Sequence, residues 1–430
     1  MSDILKDLNP EQKQAVTTTE GPLLIMAGAG TGKTTVIARR IAYIIEKKLA
    51  KPAEILALTF TDKAAQEMEE RVDILVPYGY IDTQISTFHA FGDQVLRDYA
   101  LEIGLSPDFR ILTRPEQILF FQQNLFAFDL KYFRPLSNPY KFIDAILTLI
   151  SRAKDEDVTP SQYLSYAQKL KGDRDEKNRQ EELAQAFEKY EKLKTEAGLL
   201  DFGDQVVKTL DLLRNRPKIL AGYQDKFKYI LVDEYQDTNY AQNELVKLLA
   251  KSRKNICVVG DDDQAIYKFR GAAISNILEF KKNYPKAKQV VLTQNFRSTQ
   301  AILDSAYKLI SHNNPDRLEI RNKITKKLKS EKGQKGSPPK LLFGATLSEE
   351  TDLVTAEIES LHKDSGLKFS DIAILVRANS SAEQFIQSLH AKGIPFQFIG
   401  AFGLYDRPEV KMLISFLKAL STFSDDLNLY

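Results

Sequence analysis

The sequence predicts an α/β protein whose parallel sheets are covered by helices, and three observations carry that prediction. Short continuous apolar runs alternate with helical patterns, the texture of strands buried on both faces. The runs form two blocks: LLIM (23–26), ILAL (55–58), ILV (230–232) and CVV (257–259), then VVL (290–292), LLF (341–343), IAILV (372–376) and FQFI (396–399). Five of the runs end in a polar cluster, and open α/β sheets bind ligands at the carboxyl ends of their strands. Two α/β domains in tandem follow, and the five clusters share one face, with only the last, after VVL, supplied by the second block.

In chain order, LNPEQ (8–12) opens the first helix. Asn9 as N-cap, Pro10 at the first helical position and Gln12 at the third make a sound capping arrangement. Gln12 could instead read an adenine edge, since an amide pairs bidentately with a purine's N6 and N7. The two uses compete for one amide. Leu23–Met26 then breaks into a glycine-rich turn formed by Ala27, Gly28, Ala29, Gly30, Thr31 and Gly32. The following helix carries an apolar stripe of Val36, Ile37, Ile41, Ile44 and Ile45. A strand feeding such a turn aims backbone N–H groups and the helix dipole at one spot, which suits phosphate. Lys33 would reach the β- and γ-phosphates of a nucleoside triphosphate, and the Thr34 hydroxyl would hold Mg²⁺. Ala27 stands where the GxxxxGK[ST] pattern usually has its first glycine.

Between about 105 and 200 strand-like runs vanish. RPEQILFFQQNLFAF and RQEELAQAFEKYEKLKTEA read as amphipathic helices inserted into the first domain. YILV then gives way to DEYQDT. Asp233 would hold the Mg²⁺ shell and Glu234 would accept a proton from an attacking water, unless both merely end a strand at a solvated turn. In GDDDQAIYKFRGA, Gln264 could touch a γ-phosphate or position water. Tyr267, Phe269 and Arg270 offer two rings and a cation suited to a single nucleic-acid strand, or else the rings are ordinary core. QNFRST supplies Arg297, either a surface ion-pair partner or an arginine that stabilises charge at a γ-phosphate. Residues 317–340 hold nine Lys/Arg against Glu319 and Glu331, a solvated connector or a DNA-contacting loop.

Composition sets bounds. Apolar content of 43% and charged content of 27% are ordinary for a globular chain. No apolar run reaches the roughly 18 residues of a membrane span. The start, MSDILKDLNPEQ, lacks the basic and apolar regions of a signal peptide. One cysteine, Cys257 in ICVVG, and four histidines exclude a disulfide framework and a Cys/His zinc site, which fits a reducing cytoplasm. With a net charge of only +2, nucleic-acid contact must come from a local groove.

LNPEQ, AGAGTGKT, LTFTDKAA, ISTFHAF, LDFGDQV, LVDEYQDTN, VVGDDDQAIYKFRGA, LTQNFRST, IAILVRANS and GIPFQFIGA follow one another along the chain. In that order they resemble the UvrD/Rep/PcrA family of superfamily 1 DNA helicases. The resemblance implies tandem RecA-like P-loop domains with ATP and Mg²⁺ between them. It also implies 3′-to-5′ translocation on single-stranded DNA, with partially duplex DNA as substrate. Residues 1–105 and 200–288 would form the first RecA-like domain, 106–199 its helical insertion, and 289–430 the first part of the second. By position, Gln12 reads adenine and Phe296 stacks on it. Lys33 and Thr34 bind phosphate and Mg²⁺, and Asp233 and Glu234 coordinate metal and activate water. Gln264 senses the γ-phosphate, and Arg297 is the finger. Phe60, His89, Tyr267, Phe269 and Arg270 fall on DNA-contacting positions.

Three departures qualify the match. Phe269 stands where the family usually has tryptophan, which implies a smaller stacking platform. Thr35 replaces an arginine that often follows GKT near the adenine. The family's later motifs do not occur before Tyr430, so the chain reads as the N-terminal portion of a longer motor that alone binds ATP–Mg²⁺ weakly and unwinds little. The family's own loop is Ala-Gly-Ala-Gly, so Ala27 marks a subclass. Two other functions share these motifs. One is the helicase part of a RecB/AddA-like helicase–nuclease. The other is a non-catalytic ATP-gated DNA-binding module, which would need neither Glu234 nor Arg297.

Overall fold

The computed structural model describes residues 3–76, 83–267, 271–399 and 408–421, which divide into two compact units, Met1–Pro338 and Pro339–Tyr430. The first unit is built on a six-stranded, wholly parallel sheet. Its strands are β1 (Leu23–Ala27), β2 (Ile55–Thr59), β3 (Gln84–Thr87), β6 (Tyr229–Val232), β7 (Ile256–Gly260) and β8 (Lys288–Leu292), in the order β3-β2-β6-β7-β1-β8. Alternate residues of each strand serve opposite cores. Leu24, Met26, Leu56, Leu58, Ile230 and Val232 face α4 (Phe88–Asp98), α9 (Phe202–Asn215) and α11 (Tyr240–Ala250). Leu23, Ile25, Ala27, Ile55, Ala57 and Cys257 face α1 (Pro10–Thr17), α2 (Lys33–Glu46) and α3 (Asp62–Leu75). Burial on both faces is why these strands read as unbroken apolar runs.

VVL is the first correction. Expected in the second block, it lies in β8 and pairs with β1 from Leu23↔Lys288 to Ala27↔Leu292. The two compact units part between Pro338 and Pro339. A three-residue apolar run carries no information about which neighbour it pairs with, and here the pairing with β1 decides. Just beyond, β9 (Gln294–Asn295) pairs in parallel with β10 (Lys329–Ser330), with α14 (Gln300–Ile310) and the single turn α15 (Leu318–Arg321) between them.

The helical insertion enters and leaves through a parallel pair, β4 (Arg110–Leu112) and β5 (Leu199–Asp201). Four helices lie between these strands: α5 (Arg114–Gln123), α6 (Ile143–Asp155), α7 (Pro160–Lys169) and α8 (Arg174–Glu196). They enclose a separate core that includes Phe121, Phe128, Ile146, Ile150, Phe187 and Tyr190.

In the second unit, α16 (Leu347–Ser365) and α17 (Ala382–Ala391) pack around Ile358, Leu389 and Ile394. The runs 341–343, 372–376 and 396–399, expected as strands, form no ladder among the described residues. Ile372, Ile374 and Val376 are half-buried while Ala373 and Leu375 are exposed, so one face of that run is covered where unbroken apolarity predicts two. A last helix spans Pro408–Ser421, and residues 422–430 lie outside the described part.

Candidate functional site

The loop after β1 is shaped by two glycines in the left-handed region, Gly30 at φ +72° and Gly32 at φ +88°. Gly32 is the N-cap of α2 and brings no side-chain hydrogen bond to its first turn. By contrast, α1, α9 and α11 are each closed by a capping box. The N–H groups opening α2 are therefore left for an anion. At Gly30 a Cβ would lie 2.6 Å from Arg297 Cβ and 2.8 Å from Asn295 Nδ2, so the close approach of the QNFR segment requires glycine. Asn295 Nδ2 donates to the Ala29 carbonyl at 2.6 Å, and Phe296 N donates to Gly30 O at 2.9 Å. Leu328 presses on Gly28, and the Thr31 hydroxyl closes the turn onto Gly28 O at 2.8 Å.

Both ends of the Gln12 amide are engaged. Its Oε1 accepts from Asn9 N at 3.2 Å in the capping box, and its Nε2 donates to Thr31 O at 3.0 Å. The capping use is thus realised, and the same amide also props the loop. Phe296 is half-exposed beside that loop. The Arg297 backbone is held by Asn295 Oδ1 at 3.0 Å, while its side chain is exposed and forms no ion pair among the described residues. Arg297 thus follows β9, whose partner is β10 and not a strand of the six-stranded sheet, and comes up against the loop at Gly30.

Lys33 Nζ lies 2.7 Å from Glu234 Oε2 and 3.5 Å from Gln264 Oε1, bringing three expected catalytic groups into one cluster. Glu234 follows β6 in the left-handed region at φ +47°, a strained backbone for a non-glycine residue of the kind found at functional sites. Gln236 Nε2 donates to Glu234 Oε2 at 2.8 Å, while its Oε1 accepts from Asp261 N at 3.0 Å, joining the clusters after β6 and β7. Asp233 is buried, and its Oδ1 accepts from Glu234 N at 2.9 Å. Burial first, and the Glu234 charge second, push its carboxyl up to about 7, with Lys33 opposing. Thr34 in the first turn of α2 and Asp233 offer a hydroxyl and a carboxylate, hard oxygen donors of the kind Mg²⁺ takes.

Phe60 follows β2, and its ring stacks on Tyr267 with centroids 5.7 Å apart and 25° between planes. His89 lies in the first turn of α4, after β3, and meets the exposed Phe202 edge-on at 5.8 Å. Burial lowers the imidazole pKa, with the Asp62 charge opposing, which favours the neutral ring. Phe269 and Arg270 lie outside the described residues.

Some residues of this site escape sequence reading. Asn295 and Gln236 sit inside quoted motifs, but their role is bonding to distant segments. Arg71 on α3 donates to the Thr35 hydroxyl at 3.0 Å, bringing a cation to the position where the resemblance led us to expect arginine. The basic stretch 317–340 is not wholly solvated: Arg317 and Lys326 are buried, while its other seven cations are exposed. Lys326 Nζ fills the cluster of Asp261, Asp262 and Asp263. Likewise Lys154 and Lys194 fill the cluster of Glu191, Asp201 and Asp204 at the base of the insertion, so each acidic group already has its cations. No described helix is long and apolar enough to cross a membrane.

The UvrD/REP helicase N-terminal domain matches residues 8–285, and the UvrD-like helicase C-terminal domain matches residues 290–429. The ATP-dependent DNA helicase PcrA of Staphylococcus epidermidis is 40% identical over 434 residues, covering 100% of this chain and 56% of that protein. The PcrA of Bacillus subtilis is 40% identical over 432 residues, covering 99% of this chain and 55% of that protein. The chain thus spans a little over half the length of these relatives. Matched by both family models along nearly its whole length, the chain belongs to the UvrD/REP helicase family.

Proposed function

We propose that this chain is the ATP-binding part of an ATP-dependent DNA helicase that translocates 3′ to 5′ along single-stranded DNA. The observation that carries the reading is the cluster of Lys33, Glu234 and Gln264 beside an uncapped helix start. The opening of α2 and Lys33 bind the phosphates, and Thr34 and Asp233 hold Mg²⁺, which neutralises phosphate charge when bound. Phe296 stacks on the base, and Gln12 contacts it only by giving up its bonds to Asn9 N and Thr31 O. As Lys33 turns to the phosphates it releases Glu234, whose carboxylate then accepts a proton from the attacking water. Gln264 contacts the γ-phosphate, and Arg297 stabilises the charge that develops there. Phe60, His89 and Tyr267, with Phe269 and Arg270, bind the DNA strand by stacking and charge.

Residues 106–199 act as an arm on the first RecA-like domain, and closure of a cleft against a second such domain couples hydrolysis to movement. A cytoplasmic setting suits the single buried cysteine. The non-catalytic alternative is disfavoured by Glu234, because an ATP-gated switch needs no base paired to the phosphate-binding lysine.

Two substitutions test this. Lys33→Ala should weaken binding of a fluorescent ATP analogue at least about tenfold, the loss of one charged contact. Glu234→Gln should cut DNA-stimulated hydrolysis by roughly 10²–10⁴ as a lost general base, yet hold ATP as tightly or more so, because Lys33 no longer leaves an ion pair. Wild-type hydrolysis by Glu234→Gln would remove Glu234 from its role.

A further inference from the structure

Gln264 does not stand alone in the site. Its Nε2 donates to Asp261 Oδ2 at 2.7 Å, which turns the amide oxygen towards Lys33. Asp261 in turn is gripped through its other oxygen by Lys326 Nζ at 2.5 Å. The same ammonium reaches Asp262 Oδ1 at 2.5 Å and Asp263 Oδ2 at 2.9 Å. Lys326 arrives from far along the chain and is itself fixed, its backbone N–H donating to Glu319 Oε1 at 2.9 Å. Arg317 braces the far side, its Nε and Nη2 binding both oxygens of Asp263 at 2.7 and 2.6 Å. Leu318 N donates to Asp262 Oδ2 at 2.7 Å.

The electrostatics give this arrangement a direction. Three consecutive carboxylates converge within 4.8 Å of one another. Without a cation between them they repel, and each must rotate away, take a proton or admit water. Lys326 relieves that repulsion, and its own pKa is raised because the three aspartates outweigh the cost of its burial. Arg317 and Lys326 together hold Asp263 below the usual carboxylate range. The Asp261 carboxylate therefore has one stable orientation, with one oxygen on Lys326 and the other on Gln264.

We propose that Lys326 is a positioning residue that aims Gln264 at the γ-phosphate through Asp261. This rests on the reading of Gln264 as the γ-phosphate contact. The segment Arg317–Lys326 then belongs to the nucleotide site, and any displacement of it would be felt at Gln264. Lys326 touches neither Lys33 nor Glu234, so ADP, which lacks the γ-phosphate, is insensitive to it.

The test is the ratio of affinities for fluorescent ATP and ADP analogues, measured on the whole chain by anisotropy with Mg²⁺ present. Lys326→Met should lower the ATP-to-ADP preference roughly tenfold, the scale of one charge-assisted hydrogen bond, with ADP affinity unchanged. Lys326→Arg, which keeps the charge, should restore most of the preference. In a Gln264→Ala background Lys326→Met should have no further effect on the ratio. An equal loss of ATP and ADP binding would mark Lys326 as a structural residue and overturn the proposal. So would an unchanged ratio in Lys326→Met. If Lys326→Met does not fold, Asp261→Asn serves in its place, with the same expected fall in the ratio and the same overturning result. Failure of the wild-type chain to bind either analogue would instead refute the nucleotide site itself, and the proposal with it.

Discussion

Asn295 is fully buried and spends one amide on three backbone groups: the Ala29 carbonyl at 2.6 Å, Arg297 N at 3.0 Å and Ser298 N at 2.7 Å. It thereby fixes the distance between the phosphate-binding loop and the arginine meant to act on the same phosphate. Asn295→Ala would take away the partner of the Ala29 carbonyl and of two N–H groups, all in part-buried bonds. The expected loss is roughly 2–4 kcal/mol of unfolding free energy, read from urea denaturation, with weaker ATP binding alongside. Asn295→Asp should fall between the two, because it keeps the acceptor for Arg297 and Ser298 but cannot donate to Ala29. Lys33, Glu234 and Gln264 were legible in the sequence because each follows an apolar strand at a motif's spacing. Asn295, Gln236 and Lys326 were not, because they act through partners distant in the chain and no local spacing encodes such pairing.

At the scale of elements, the insertion meets the sheet domain through a buried charge network. Lys154 on α6 and Lys194 on α8 share Asp201 and Asp204, which also form the capping box of α9, and Glu191. Both lysines press the Asp204 carboxyl well below the usual range, against the opposing effect of its burial. Removing one cation leaves carboxylates buried and uncompensated. Lys154→Met should therefore destabilise the insertion by roughly 3–5 kcal/mol. Hydrogen exchange should show α5, α6 and α8 losing protection before β1 and β7. Pairing it with Asp204→Asn should recover part of the loss. The insertion's helices were readable because amphipathic periods fill the stretch between β4 and β5. The allegiance of VVL was not, since sheet order depends on which strand edge is free. The runs in the second unit misled for a related reason: covered on one face, IAILV shows an apolar sequence wider than its buried side.

Across the first unit as a whole, Asp155 joins three regions. It lies at the last turn of α6 in the insertion, accepts from Asn239 Nδ2 at 2.7 Å in the motif after β6, and abuts Gly271, where a Cβ would lie 2.5 Å from its Oδ2. Burial pushes its carboxyl up to about 7, while the Asn239 hydrogen bond opposes. In the unfolded chain the same group titrates near 3.8. Between those values the native state holds a proton that the unfolded state has released, so unfolding free energy falls as pH rises from about 4 to about 7. Asp204 and Asp263, with lowered pKa values, act in the opposite sense and weaken the fold only as pH drops below the ordinary carboxylate range. Asp155→Asn keeps an acceptor for Asn239 and removes the titration. Its stability relative to wild type should be near zero at pH 4 and grow to on the order of 1–3 kcal/mol by pH 8, followed by urea denaturation across that range. A constant difference at all pH values would mean that Asp155 is ionised throughout. The junction of insertion, acidic motif and glycine loop would then be held by charge, and not by a neutral carboxyl.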